Sequence, residues 1–210
     1  MTTQTVQRLA SMPRLARAFR SAALVLTLTC LAQPIGCQSR TAFTLGDPPP
    51  GAASTPALPK MPVPCALKVI CPNQLTGQRH SSMPGARPDI YEYPLRAVLE
   101  KAMSDRLYSS FDKPRAQTLN AFSLEVEVFQ SRLSIRGNTV TYFLKTHVML
   151  RSPQGNAIAT EEIESQRMGG LCGNQLPDAV WESVYEVATQ AVEKIVNNPR
   201  TQVAVQSYAR

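Results

Sequence analysis

Residues 124–150 constrain this chain more than any other stretch, because their pattern reads as two strands joined by a tight turn. Leu124, Val126 and Val128 alternate with Glu125 and Glu127, and the apolar phase then moves to Phe129, Ser131, Leu133 and Ile135. A period of two marks a strand with one buried face, and a slip in that period is what a β-bulge or a sharp twist produces. In Arg136-Gly137-Asn138-Thr139 the glycine stands where a two-residue hairpin turn needs φ > 0 first. The partner strand runs from Val140 to Leu150. Val140, Tyr142, Leu144, Val148 and Leu150 face one way, Lys145 and His147 the other, so one side of the sheet is covered and the other is wetter.

The covering elements are two amphipathic helices. Pro94 opens the first, at a position where its missing N–H does no harm. Leu95, Val98, Leu99, Ala102, Met103 and Leu107 then form an apolar stripe opposite Arg96, Glu100, Lys101 and Asp105. The second starts near Pro177-Asp178 and carries Val180, Trp181, Val184, Val187, Ala188, Ala191, Val192 and Ile195 on one face, and Asn197-Asn198-Pro199 stops it. A first strand, Cys65–Cys71, is closed by Pro72, and the polar residues through Pro88 read as loop. Ser152-Pro-Gln-Gly-Asn156 turns into a third, more polar strand, Ala157–Gln166, at or near an edge. Met168-Gly-Gly-Leu-Cys-Gly173 reads as a flexible loop and residues 199–210 as a polar tail that frays. The order β-α-β-β-β-α predicts an α+β two-layer domain over 65–198, an antiparallel sheet with both helices on one face.

Ahead of this domain lies a different kind of sequence. The chain has a formal net charge of +7, yet Arg8, Arg14, Arg17 and Arg20 all precede Cys37 with no acidic residue among them, so most of the excess belongs to the leader. That leader has a basic start, an apolar run from Ala22 to Ala32 and a small-residue exit at Gly36, the layout of a secretory signal over 1–36. The apolar run is too short to span a bilayer. From Gln38 to Pro64, Pro48, Pro49, Pro50, Pro56, Pro59, Pro62 and Pro64 stand among Ala, Ser, Thr and Gly. Proline fixes φ and removes donors, so 37–64 reads as an extended tether reaching at most about 80 Å at about 3.1 Å per residue.

The exit Gln33-Pro34-Ile35-Gly36-Cys37 resembles the lipobox of bacterial lipoproteins, in which small residues precede a cysteine that becomes lipidated. Pro34 departs from the aliphatic residue usual there, and a cut after Ala32 would instead release a soluble periplasmic protein. Under the resemblance Cys37 carries the acyl chains, and Gln38 rather than Asp after it implies the outer membrane, facing the periplasm. The helix Leu95–Leu107, the strand Leu124–Ile135, the Gly137-Asn138 hairpin into Tyr142–Leu150 and the helix Trp181–Ile195 together resemble the YajG-like family of uncharacterised bacterial lipoproteins. More loosely they resemble auxiliary lipoproteins of ABC-type lipid transporters. The resemblance implies an envelope lipoprotein; Cys65, Cys71 and Cys172 are not part of that pattern.

The remaining chemistry is sparse. With Cys30 lost in the leader and Cys37 lipidated, Cys65, Cys71 and Cys172 could form one disulfide in an oxidising compartment. A bond between Cys65 and Cys71 would have to span about 20 Å of strand. A bond from Cys71 or Cys65 to Cys172 would join the first strand to the loop before the last helix; Cys71 with Cys172 is the preferred pair, leaving Cys65 near the tether as an intermolecular thiol, and three unpaired cysteines are the alternative. Cys172 could serve as a nucleophile with His147 or His80 as base only if a third group oriented the pair, and no local signature supplies one. The cysteines and histidines lack the paired spacing of a zinc site. Glu161, Glu162 and Glu164 suit a solvated edge that resists unwanted pairing. No phosphate-cradling loop or dinucleotide fingerprint occurs, so no cofactor is expected. Arg132, Arg136, Lys145 and Arg151 form a weak basic patch beside the hairpin without the interleaved aromatics of a nucleic-acid surface. These residues predict a non-enzymatic binding protein whose partners are the membrane, through the anchor, and an envelope protein or lipid.

Overall fold

The computed structural model describes residues 39–42, 58–80, 87–115, 120–170 and 175–208. The leader, Cys37, most of the proline-rich segment and Cys172 lie outside them. Among the described residues eight strands form one mixed sheet, with three helices. The strands are β1 (Arg40–Ala42), β2 (Met61–Ile70), β3 (Leu75–Arg79), β4 (Asp89–Tyr93), β5 (Phe111–Asp112), β6 (Phe122–Arg136), β7 (Thr139–Arg151) and β8 (Ala157–Gly170); the helices are α1 (Leu95–Ser110), α2 (Gln175–Asn197) and α3 (Pro199–Tyr208).

The long hairpin is as its sequence dictates. β6 and β7 pair antiparallel from Ser123↔Arg151 to Arg136↔Thr139, and β8 continues the ladder on β7. The register slips between Val128 and Gln130, so Phe129 is the extra residue of a bulge, and its ring is 57% exposed. Gly137 has φ 60° while among the described residues no non-glycine residue has positive φ, which makes the turn the type with positive φ at its first central residue only. At the other end, Gly155 (φ 86°) closes the Ser152–Asn156 turn, where Ser152 Oγ accepts from the backbone N–H groups of Gln154 and Asn156, both at 3.3 Å.

The antiparallel expectation needs correction, because β2 and β3 both run parallel to β6, and β1 runs parallel to β4. The reason lies in the connection. β3 ends at the hairpin end of the sheet, and β4, antiparallel to it, followed by α1 returns the chain to the end where β2 begins, from which β5 and β6 set out in the direction of β2. β2 pairs with Phe122–Glu127 of β6, and β3 then pairs with Leu133 and Ser134 of the same strand, so the two behave as one strand interrupted at Cys71–Gln74. The bulge at Phe129 lies opposite the interruption. The excursion also serves α1, which has no side-chain cap: Asn73 O accepts from Arg96 N at 3.4 Å, near the start of the helix.

Three more expectations change. The folded chain does not wait for Cys65: Met61, Val63 and Cys65 point inward, and Pro62 and Pro64 are tolerated because this end of β2 meets only the two-residue β5. Residues 75–79 and 89–93 are strands, hidden from a period-two search because Gly77 takes an inward position and Tyr93 alone of β4 is buried. The tail does not fray up to Tyr208. Pro199 opens α3, Asn198 Oδ1 accepts from Arg200 N at 3.0 Å, and Thr201 and Val205 are buried.

Both predicted helix stripes are buried in full, and α1, α2 and the inward residues of β2, β6, β7 and β8 form one core around Trp181. α2 packs on β7 and β8, and α1 on α2 and β2. Among the described residues no helix covers the opposite face of β6–β7–β8.

Candidate functional site

Alternation along three adjacent strands places Arg132, Ser134 and Arg136 of β6, Thr139, Thr141 and Phe143 of β7, and Gln166 and Met168 of β8 on that solvent face. Together with Gln130 they line an open concavity of about 670 Å³ at the hairpin end of the sheet. A bulge bends and twists the strand that carries it, and the one at Phe129 sits at the floor's inner margin. A smaller hollow of about 450 Å³ shares Arg132, Ser134 and Arg136 and adds Thr76, Gln78 and His80. Arg132 and Arg136 thus stand between two depressions, both exposed, with no carboxylate in salt-bridge range among the described residues. Met168 is 67% exposed beside them. Unpaired guanidinium groups next to solvent-facing apolar side chains can hold an anionic group and cover an apolar one.

The basic patch expected from sequence is divided by the structure. Arg132 and Arg136 line the concavity. Lys145 lies 2.9 Å from Glu162, whose hydrogen bond and charge raise the ammonium pKa while its own falls. Arg151 is at the far end of the hairpin, where it meets Glu125 at 3.4 Å and Gly155 O at 3.2 Å. Glu161 pairs with Lys194 at 4.0 Å, so two of the three β8 glutamates are in exposed ion pairs of little energetic weight.

The thiols do not gather a reactive centre. Cys65 is fully buried, which removes it as an intermolecular thiol, and burial pushes its pKa up to about 12 against a weaker opposing hydrogen bond from Leu124. Cys71, half-buried, is also raised by burial, and both are free thiols. The expected partner of Cys71, Cys172, lies outside the described residues. His147 packs its ring 5.5 Å from that of Phe129, whereas His80 follows β3 at the hairpin end. About eight residues of β7, roughly 25 Å, separate the two levels. Among the described residues no group of three His, Cys, Asp or Glu side chains could hold a metal ion, and no helix is long and apolar enough to cross a membrane.

Sequence reasoning missed two polar clusters that fasten the helices. Arg106 is 2% exposed and its guanidinium lies 5.0 Å from the Tyr185 ring; burial lowers its pKa, and Tyr185 donates to Asp105, which also meets Lys101 at 3.6 Å. The signal was present, since Arg106 falls three and four residues after Met103 and Ala102 on the apolar stripe. Glu186 is the second hub: Ser165 Oγ donates to it at 2.6 Å, Arg167 lies at 3.2 Å, and Ser183 donates to Ser165 at 2.9 Å. These contacts join α1 to α2 and α2 to β8 and face away from the open concavity.

No family model matches the chain, and no curated protein does. Among solved structures it is similar to protein XCC0632 from Xanthomonas campestris, described under family-model DUF330. The TM-score is 0.52 at 14% identity, over 81% of this chain and 99% of that one. A minor lipoprotein from Acinetobacter baumannii aligns over 66% of this chain and 93% of its own at 14% identity, with a TM-score of 0.40, too low to carry an argument. What the chain shares with the Xanthomonas protein is its fold.

Proposed function

We propose that this chain is an exported lipoprotein of the outer membrane, anchored through Cys37 on the periplasmic side. Its α+β domain binds an envelope protein or lipid and catalyses no reaction. The observation that carries the reading is the leader: four arginines, an apolar run too short to span a bilayer, and Ile35-Gly36 ahead of Cys37. More than one acyl chain on that cysteine meets the requirement for stable anchoring. The solvent face of β6–β7–β8 supports the binding role, because Arg132 and Arg136 line a concavity without a carboxylate partner among the described residues, an arrangement that stability alone does not need.

The test is fractionation of cells producing the full chain or its Cys37→Ser variant. The wild type is expected in the outer-membrane fraction and the variant in the soluble periplasm or the inner membrane. Recovery of both in the soluble periplasm contradicts anchoring and favours a free binding domain. An Arg132→Glu, Arg136→Glu double variant that is correctly localised, folded and still retains its partner contradicts the assignment of the concavity.

A further inference from the structure

The position of β1 decides which end of the domain faces the bilayer. β1 lies on the sheet: Arg40, Thr41 and Ala42 pair in parallel register with Ile90, Tyr91 and Glu92, and Ile90 N donates to Ser39 O at 2.8 Å. Side chains secure it as well, Ser39 to Asp89 and Arg40 to Glu92. Only Gln38 separates Ser39 from Cys37, so a lipidated Cys37 lies within about 7 Å of the docked strand, at 3.3–3.6 Å per residue. The proline-rich residues 43–60 follow β1. They join β1 to β2 and cannot act as a spacer between lipid and domain while β1 is paired.

Register then carries the anchor's level across the whole sheet. Arg40 stands opposite Ile90, Ile90 opposite Gln78, Gln78 opposite Ser134, Ser134 opposite Thr141, and Thr141 opposite Met168. Since β1 is parallel to β4, the chain before Ser39 points towards Arg79, Ile135 and the Gly137-Asn138 turn, and Arg79 donates to Asn138 at 3.2 Å there. The Ser152–Asn156 turn is at the opposite end of a ladder of about 40 Å. Arg79, Arg87, Arg132 and Arg136 lie at or near the hairpin end, where the nearby carboxylates Asp89 and Glu92 are already taken up by Ser39 and Arg40. Lys60, Lys113 and Arg115 make the far end basic too, so the anchor selects the end and the arginines suit it to anionic headgroups.

We infer that the acylated domain rests with its hairpin end on the bilayer surface, with the Arg132–Arg136 concavity near the headgroups. The inference rests on acylation of Cys37. The experiment uses full-length acylated protein in vesicles of phosphatidylethanolamine and phosphatidylglycerol, with a genetically encoded fluorescent residue at position 138 or 154 and a headgroup-bound nitroxide quencher. Quenching at position 138 is expected to exceed that at 154 several-fold. A ten-residue glycine-serine insertion between Gln38 and Ser39 is expected to weaken it at 138. Equal quenching at both positions, or stronger quenching at 154, overturns the orientation. Intact mass of the same sample separates the two failures. Acylated protein with equal quenching refutes only the orientation, whereas an unacylated Cys37 refutes the anchor and the orientation with it.

Discussion

A methyl group on residue 77 would sit 2.6 Å from Leu133 Cδ2 and 2.8 Å from its Cγ, because β3 and β6 approach closely where Gly77 pairs with Leu133. Gly77→Ala is therefore expected to destabilise the domain by about 1–3 kcal/mol in urea unfolding, the usual cost of overpacking. Adding Leu133→Ala should recover part of that loss in a double-mutant cycle. Cys65 gives a pH signature. Its thiol ionises near 9.0 when unfolded and about 12 when folded, so the unfolded chain gives up its proton first. The stability associated with the neutral thiol is complete below pH 9 and falls as the pH rises above it, by ~1.4 kcal/mol per pH unit. Cys65→Ala should lessen that dependence in denaturation curves measured between pH 8 and 10.5. Arg106→Ala should cost about 2–4 kcal/mol, through the lost packing of a fully buried side chain on Tyr185 between α1 and α2.

At the scale of elements, α3 gives the sharpest test, since the sequence presents it as a polar tail. Truncation after Asn198 exposes the sites of Thr201 and Val205 and removes the edge-to-face contact of Tyr208 with Phe122 at 5.3 Å. A loss of about 2–4 kcal/mol is expected from the apolar area involved, whereas an unchanged urea midpoint would show that α3 adds nothing. Both long helices, the bulge at Phe129 and the Gly137 turn were legible because each writes its geometry into spacing or residue type. β3 and β4 were not, since a strand whose inward positions are Leu75 and a side-chain-less Gly77, or a single Tyr93, shows no apolar period. Sheet direction was not legible either, because it depends on the return through β4 and α1 to the end where β2 begins, and β4 itself left no period in the sequence. For the site, the sequence placed Arg132 and Arg136 in a basic patch beside the hairpin, together with Lys145 and Arg151. The isolation of Arg132 and Arg136 from carboxylates was not visible, because the partners of Lys145 and Arg151 come from β8 and from the other end of β6.

At the scale of the molecule, one sheet divides two tasks. Its inner face holds the core against α1 and α2, and its outer face offers a concavity lined by Arg132 and Arg136 at the end towards which the chain before β1 points. In the proposed reading an acyl anchor on Cys37 and the Arg132–Arg136 concavity lie at the same end of the sheet, with the proline-rich residues after β1 and not between lipid and domain. The central claim is that Cys37 carries lipid, and the most direct measurement is the intact mass of the mature protein extracted from membranes, beside the Cys37→Ser variant. The account predicts a chain beginning at Cys37 with an acyl mass increment that the variant lacks. An unmodified chain beginning near Gln33 would contradict it.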